Sequence, residues 1–298
     1  MFSIIIPSFN NLNYLKICIN SLKNNSNLKN DIIVHINDGS DGSLEFVKHN
    51  NINFTFTKKN VGLCTAVNTA AKLATTEYIL YSHDDMYFCP RWDLVLKDEL
   101  NKIDTKLFYF SASMIEKDSG HIIFDCGSTY KDFDEQKLLE NFKDLKCKDF
   151  QGSHWAPHLI HKEIWNKIGG FSEEFNPGIG SDPDLNMKLW NEGVRIYKGI
   201  NNCKVYHFGS IVTRNYKDHP TIQTESGNKG AKIFILKWGM SIDFFKRFYL
   251  RSDTKYKGEL DNPKISLIYL INLFLCKLNY FYIRFIYRKY NKIRLSKK

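Results

Sequence analysis

YILYSHDDMYF, residues 78–88, runs an apolar strand straight into a histidine and two adjacent carboxylates, His83, Asp84 and Asp85. Neighbouring like charges repel and lose hydration when buried, so a strand ending on them needs solvent, a cation or a basic partner there. The same grammar recurs on the N-terminal side. FSIII (2–6) is an apolar run closed by Pro7, and LNYLKICINSLKNN (12–25) places Leu12, Leu15, Ile19 and Leu22 at helical spacing. DIIVHIN (31–37) reads as a second strand, followed by the turn residues DGSDGS. SLEFVKHN reads as a short helix, NFTFT (53–57) as a third strand, CTAVNTAAKLAT (64–75) as an alanine-rich helix and EYILYS (77–82) as the fourth strand. Strands alternating with helices predict βαβ units and a parallel sheet covered on both faces. Such sheets bind ligands beyond the carboxyl ends of their strands. Three of those ends are polar: Pro7-Ser8-Phe9-Asn10, Asn37-Asp38-Gly39-Ser40 and Ser82-His83-Asp84-Asp85.

Further along, PRWDLVLKDEL (90–100) predicts a helix and KLFYFSASM (106–114) a strand, and residues 115–150 read as charged and loop-rich. HKEIWNKIGGF (161–171) is a helix stopped by a glycine pair, and DPDLNMKLWNEG (182–193) a helix stopped by Gly193. VRIYKG and CKVYHFGS predict two short strands. The net charge of +10 is unevenly placed: nine basic residues and no acid fall between Asn262 and Lys298, leaving 33 bases to face all 32 acids in the first 261 residues. A neutral body carries a basic tail. The seven cysteines are scattered, odd in number and without a C-x-x-C pair, which argues against a disulfide framework or structural zinc site and for reduced thiols in a cytosolic setting. MFSIIIPSFN has no basic segment before a long apolar one; it reads as the first strand, not as a signal peptide.

The adjacent carboxylates have a plain reading, a helix N-cap ahead of Pro90, and a functional one. Hard carboxylate oxygens at a strand end suit Mg²⁺ or Mn²⁺, which in turn grips a diphosphate. IIIPSFN, INDGSDGS, NVG followed by AVNTAA, and YILYSHDDMYF, in that order, resemble the N-terminal half of a GT-A fold glycosyltransferase of family 2, over residues 2 to about 95. The resemblance implies an α/β GT-A fold with residues 1–105 as the nucleotide-sugar-binding half and 106–261 as the acceptor-binding half and closing loop. It implies Pro7, Ser8, Phe9 and Asn10 framing the nucleotide base, Asp38 accepting from base or ribose, and Asn60 and Gly62 lining the pocket, although Gly62 also reads as a simple turn residue. Asp84 would face the ribose or a metal-bound water, and Asp85 would ligate Mn²⁺ or Mg²⁺. Asn37 and His83 depart from the family's usual Asp at both places.

An inverting sugar transfer needs a general base for the acceptor hydroxyl. In the family this is an Asp within Glu-Asp-x-Asp at a helix start; here the string is Ser181-Asp182-Pro183-Asp184, which assigns the base to Asp182 and places Asp184 with the acceptor. Asp182 also reads as a helix cap with Pro183 at the first helical position. His207, in VYHFGS, is the expected second metal ligand by the same resemblance, against the plainer reading of a structural histidine. Residues 211–230 resemble a loop that closes over the diphosphate, with Arg214 or Lys217 neutralising the leaving group, or else a solvated loop. Trp155 is either a sugar-stacking platform for the acceptor or a core residue.

The tail, residues 262–298, places Lys277, Arg284, Arg288 and Asn291 on one helical face beside a broad apolar, tyrosine-rich one. Its longest charge-free run, Ile265 to Cys276, is 12 residues, short of the ~20 that span a bilayer. It reads first as an amphipathic helix lying on an anionic membrane surface, second as a helix packed on the domain, and no nucleic-acid motif accompanies its charge. The resemblance, with the tail, implies a metal-dependent, inverting transferase at the inner face of the cell membrane. It would move a sugar from a nucleotide-diphosphate donor, UDP-linked by expectation, to a hydroxyl of a growing cell-surface glycan or lipid-linked carrier. The alternatives are a non-catalytic membrane-attached nucleotide- or glycan-binding protein and a sugar nucleotidyltransferase; the latter's glycine-rich phosphate loop has no counterpart in PSFNNLNYLK.

Overall fold

The apolar run at the N-terminus becomes strand β1 (Phe2–Phe9), and its Phe2, Ile4, Ile5 and Ile6 are all fully buried, as a strand covered on both faces requires. The computed structural model describes residues 1–209 and 225–286. From β1 the chain continues through α1 (Leu12–Asn25), β2 (Asp31–Asn37), α2 (Ser43–His49), β3 (Asn53–Thr57), α3 (Leu63–Ala71), β4 (Tyr78–Tyr81), β5 (Met86–Phe88) and α4 (Trp92–Leu100). The second half holds β6 (Phe108–Glu116), β7 (Ile122–Ile123), α5 (Glu135–Asn141), β8 (Phe150–Gln151), β9 (His158–His161), α6 (Lys162–Ile168), α7 (Ser181–Asn191) and β10 (Ile196–His207). Helices α8 (Glu225–Trp238), α9 (Ile242–Phe244, passing into a π-helical turn at Phe245–Leu250) and α10 (Leu267–Ile286) follow.

One sheet organises these elements, in the order β3-β2-β1-β4-β9-β6-β10-β5, with β7 beside β6 and β8 beside β10. The first four strands are parallel, as the alternating pattern predicts. Beyond β4 the sheet turns mixed: β9 runs antiparallel to both β4 and β6, and β5 antiparallel to β10. The two short strands expected near residues 194–210 are one strand, β10, whose pairing with β6 shifts register between Ile200 and Lys204. The polar pair Asn201-Asn202 resembles a turn in sequence, but the chain bulges there without leaving the sheet, and Asp149 Oδ1 accepts from the Asn201 backbone N–H at 2.9 Å. The charged, loop-rich segment 115–150 also carries β7 and α5.

The core is aromatic. Trp92 of α4 is fully buried between Phe2 (5.9 Å between ring centroids) and Phe88 (5.0 Å), which pins the helix beneath β1 and β5. A large aromatic so placed is worth about 3–5 kcal/mol against truncation to alanine. The decisive pairing for function is β5 with β10: His207 sits opposite Met86, and Phe208 N–H donates to Asp85 O at 3.2 Å. That register carries the end of β10 to the Asp84-Asp85 turn.

The C-terminal helix α10 packs on the domain along one side, as the second expectation for the tail had it, and leaves the other side exposed. An inner strip rests on the domain: Cys276 and Ile283 are buried, and the Tyr269 ring lies 5.0 Å from Phe244 and 5.3 Å from Phe248. The outer side exposes Leu267, Phe274, Leu278, Phe281 and Phe285, with Lys277 and Arg284 among them. Among the described residues no helix is long and apolar enough to cross a membrane.

Candidate active site

The carboxyl ends of β1, β2 and β4 meet as the sequence predicts. After Pro7, Ser8 and Phe9, Asn10 adopts a left-handed backbone (φ 46°), and its Nδ2 donates to Asp38 Oδ2 (3.0 Å) and Ser40 Oγ (3.2 Å). Asn37, where an Asp was the expected residue, uses its Oδ1 to accept from Val61 N–H (3.0 Å) and the Thr57 hydroxyl (3.2 Å). It fastens the loop after β3, a task a neutral amide performs without bringing a second charge beside Asp38. Asn60 Oδ1 accepts from Gly62 N–H at 2.9 Å, closing a local turn. Gly62 is more than a turn residue: its φ is 83°, and a Cβ there would fall 2.5 Å from Asn176 Oδ1. The missing side chain lets Asn176 accept from Cys64 N–H (3.0 Å) and Pro177 O accept from Leu63 N–H (3.1 Å), drawing the loop before α7 against the start of α3.

Asp84 and Asp85 lie in the turn between β4 and β5, and the cap of α4 is Arg91, so the plain helix-cap reading of the pair does not hold. Asn11 Nδ2 donates to Asp84 Oδ1 (3.0 Å), while Oδ2 is buried without a hydrogen-bond partner among the described residues. Burial, with Asp85 beside it, pushes the Asp84 carboxyl well above the usual range. Asp85 faces two imidazoles: its Oδ1 is 3.4 Å from His207 Nε2 and 4.0 Å from His83 Nδ1. One ligand atom from each of His83, Asp85 and His207 lies within 4.8 Å of the others. Glu116, from the end of β6, accepts from His207 Nδ1 at 2.6 Å. This holds Nδ1 as a donor and turns Nε2 toward Asp85, and the Nε2 proton is the one a bound cation would displace. Burial alone would lower the His207 pKa, but Asp85 and then Glu116 outweigh it and lift it to about 10. Burial lowers His83 to about 4, so that ring is neutral at physiological pH.

These residues fit a divalent cation. His207 Nε2 is buried without a good hydrogen bond, its other nitrogen is held by a carboxylate, and an anionic oxygen stands opposite. Carboxylate with imidazole is a donor set for first-row divalent ions.

Helix α7 brings the remaining group. Its cap is Gly180 (φ 89°), not Asp182, which is the second residue of the helix. The glycine takes the left-handed turn that brings the loop in, and Asp182 is thereby released from capping. Its residue opens on the cleft, yet Oδ1 is shielded from water and has no hydrogen-bond partner among the described residues. Burial raises its carboxyl to about 7. Ser181 Oγ donates to Gly178 O at 2.6 Å, so the serine in the usual Glu position ties down the loop.

Two expected acceptor residues are placed elsewhere. Asp184 is wholly buried; it accepts from Ser172 Oγ (2.5 Å) and Trp238 Nε1 (2.8 Å) and pairs with Lys237 Nζ (2.8 Å), leaving it to brace α7 against α8. Trp155 donates its indole N–H to Ala112 O (2.7 Å) and packs on His121 (ring centroids 4.1 Å) and on Gly199, where a Cβ would meet the ring at 2.6 Å. It is an interior residue and does not line the cleft. Arg214 and Lys217 lie outside the described residues.

A single cavity of about 320 Å³ joins Phe9, Asn37 and Asn60 to His83, Asp84 and Asp85, and these to Gly178, Ser181 and Asp182. The family pattern described as glycosyl transferase family 2 matches residues 3–158, just over half the chain. The chain belongs to that family. Among its curated relatives, the hyaluronan synthase of Pasteurella multocida is 24% identical over 273 residues, covering 87% of this chain and 26% of the synthase. The chondroitin synthase of Pasteurella multocida is 26% identical over 274 residues, again 87% of this chain and 26% of the relative. An uncharacterized glycosyltransferase of Rickettsia typhi is 32% identical over 178 residues, 57% of this chain and 53% of its own. The chain thus spans from a quarter to about half the length of these relatives. In fold it is similar to S. aureus TarS residues 1–349, with a TM-score of 0.53 at 15% identity over 99% of this chain and 75% of that one. The TarS structure solved in complex with UDP-GlcNAc gives a TM-score of 0.54 at 15% identity over 99% and 76%. The chain shares the GT-A architecture of this glycosyltransferase family.

Neither His83 nor Glu116 was legible as a site residue. His83 reads in sequence as a lost carboxylate, although imidazole is itself a metal donor. Glu116 carries no local signal at all, since only the β6–β10–β5 pairing brings it to His207, 91 residues away.

Proposed function

We propose that this chain is an inverting glycosyltransferase that uses a nucleotide-diphosphate sugar, with UDP as the nucleotide, and a hydroxyl acceptor on a glycan or lipid-linked carrier. One observation carries the reading. The cleft that takes in the β1, β2 and β4 strand ends also takes in a buried carboxylate, Asp182, with a pKa of about 7 and no partner for Oδ1 among the described residues. A binding protein has no need of such a group, whereas a base tuned near neutrality suits the deprotonation of an attacking hydroxyl.

In this mechanism Pro7, Ser8, Phe9 and Asn37 form the wall for the nucleotide, with Asn60 at its edge. Asp38, held by Asn10, offers an acceptor to the base or ribose. Asp182 takes the proton of the acceptor hydroxyl while that oxygen bonds to the anomeric carbon from the side opposite the diphosphate. The bond from that carbon to the diphosphate oxygen breaks, and the configuration inverts. Asp85 and His207, with His83 beside them, would hold Mn²⁺ or Mg²⁺, which when bound neutralises charge on the departing diphosphate. Glu116 keeps His207 aimed at that place. The UDP assignment draws support from the solved TarS complex with UDP-GlcNAc. A glycan acceptor draws support from the relatives named for hyaluronan and chondroitin synthesis. The test is a panel of UDP, GDP and CDP sugars with and without Mn²⁺, read as thermal stabilisation and as nucleotide release. A selective UDP-sugar response that Asp182→Asn retains in binding but loses in release supports the reading; no response to any nucleotide sugar overturns it.

A second element of the proposal is attachment to an anionic membrane surface through α10. Phe274, Phe281 and Phe285 are 60%, 53% and 68% exposed, on a helix whose other side is already committed to the domain. With Lys277 and Arg284 on the helix and six further basic residues after it, this face suits the boundary of headgroup and acyl chain.

A further inference from the structure

We propose that His83 is a third donor to the cation at Asp85 and His207, and that it turns the site's preference from Mg²⁺ toward Mn²⁺ and other first-row ions. The inference rests on the donor-site reading above and takes it further by naming the ion.

His83 Nδ1 and His207 Nε2 approach the same oxygen, Asp85 Oδ1, at 4.0 and 3.4 Å, and the two imidazole rings stand 5.9 Å apart. Three donor atoms within 4.8 Å of one another can share one ion. Both rings are available on the sides that matter. His207 has its Nδ1 engaged by Glu116, which leaves Nε2 for a ligand. His83 is seated edge-on against Tyr81 (5.5 Å), and its backbone carbonyl accepts from Ser82 Oγ at 3.0 Å. These contacts set the ring's direction without occupying its nitrogens. Asp84 is turned away to Asn11, so Asp85 is the one carboxylate among the three donors.

The donor set then decides the ion. Two imidazoles and one carboxylate form a nitrogen-rich site. Mg²⁺ favours oxygen donors, sheds water reluctantly and gains little from imidazole. Affinity for nitrogen-containing sites rises from Mn²⁺ along the first row, and Mn²⁺ accepts both carboxylate and imidazole. An Asp at position 83 would give the site a second carboxylate and restore Mg²⁺ as a competitor. The histidine, read from sequence as half of a motif lost, changes its selectivity instead.

The experiment measures metal binding on the full chain without any sugar donor. Mn²⁺ titration followed by the loss of the free-ion paramagnetic resonance signal gives affinity, and added Mg²⁺ gives the selectivity ratio. Wild type should bind Mn²⁺ well over tenfold more tightly than Mg²⁺. His83→Ala should weaken Mn²⁺ binding by at least the roughly 10–100-fold typical of disturbing even an outer partner of a metal site. His83→Asp should recover affinity while narrowing the Mn²⁺ to Mg²⁺ ratio. Electron spin-echo spectra of Mn²⁺ bound to wild type count coordinated imidazole nitrogens directly, so the result does not depend on a variant folding. Two coupled nitrogens support the proposal; one, or a selectivity ratio that neither substitution moves, overturns it. A chain that binds Mn²⁺ through two imidazoles yet responds to no nucleotide sugar would leave this inference standing and remove the transferase reading alone.

Discussion

Replacing Asp182 by Asn tests the chemistry and its energetic cost together. The wild-type carboxyl sits at about 7 instead of 3.8 because its surroundings disfavour the charge. A base with that pKa is about one-eleventh ionised at pH 6 and ten-elevenths at pH 8, so kcat at saturating donor should rise roughly tenfold between them. The Asn variant keeps the shape, loses the proton acceptor and should fall by about 10²–10⁴-fold, with the inflection gone and donor affinity nearly unchanged. Stability should move the other way. A carboxyl whose folded pKa is raised binds its proton more tightly in the folded state. Its stabilising contribution is therefore complete below pH 3.8 and is lost as pH rises toward 7. A rise of that size corresponds to at most about 4 kcal/mol, reduced by whatever water reaches the carboxylate from the cleft. Asp182→Asn should thus be more stable than wild type at pH 8, and that advantage should fade toward pH 4. The assay is UDP release from a UDP-sugar, to water or to a glycan acceptor, beside urea denaturation at both pH values. A variant that turns over at the wild-type rate, or a wild-type profile flat from pH 6 to 8, would falsify the assignment of the base.

Glu116→Ala removes the acceptor that orients His207 and should lower Mn²⁺ affinity by about 10–100-fold in calorimetric titration; unchanged affinity would make Glu116 a bystander. Lys237→Met leaves Asp184 and Glu174 buried without the ammonium that lies 2.8 and 3.0 Å from them, and should cost about 3–5 kcal/mol in urea denaturation. A loss under about 1 kcal/mol, the scale of an exposed pair, would show that the bracing of α7 by α8 is unimportant. Exchanging Phe274, Phe281 and Phe285 for Gln should release the protein from anionic vesicles without lowering its thermal midpoint, since these side chains are largely exposed. Salt should weaken wild-type vesicle binding without ending it, because screening acts only on the electrostatic part; cosedimentation of the triple variant at wild-type levels would place the attachment elsewhere.

The sequence by itself determined the parallel N-terminal part of the sheet. Apolar runs of strand length, each closed by polar residues, specify a parallel sheet because local period and length decide both strand and direction of burial. The positions of Ser8, Asp38 and Asp85 follow from where each run ends. The family resemblance, read on a glycine-containing loop ahead of a periodic helix, singled out Asp182, which the structure places on the cleft. Local pattern misjudged the cap by two residues, because Gly180 and Asp182 are both competent caps and only the approach of the loop to α3 selects the glycine.

What tertiary structure alone decided is everything that depends on partners remote in sequence. Asp184 and Trp155 look like free polar and aromatic groups until Lys237, Trp238 and Ala112 arrive from other elements and satisfy them. His83 looks like a loss until β10, aligned by its antiparallel pairing with β5, delivers His207 and with it the carboxylate of Glu116. A hydrogen bond or a ligand set is a property of atoms brought within a few ångströms. Periodicity reports only which face of an element is buried, and is silent on which residue of another element will meet it there.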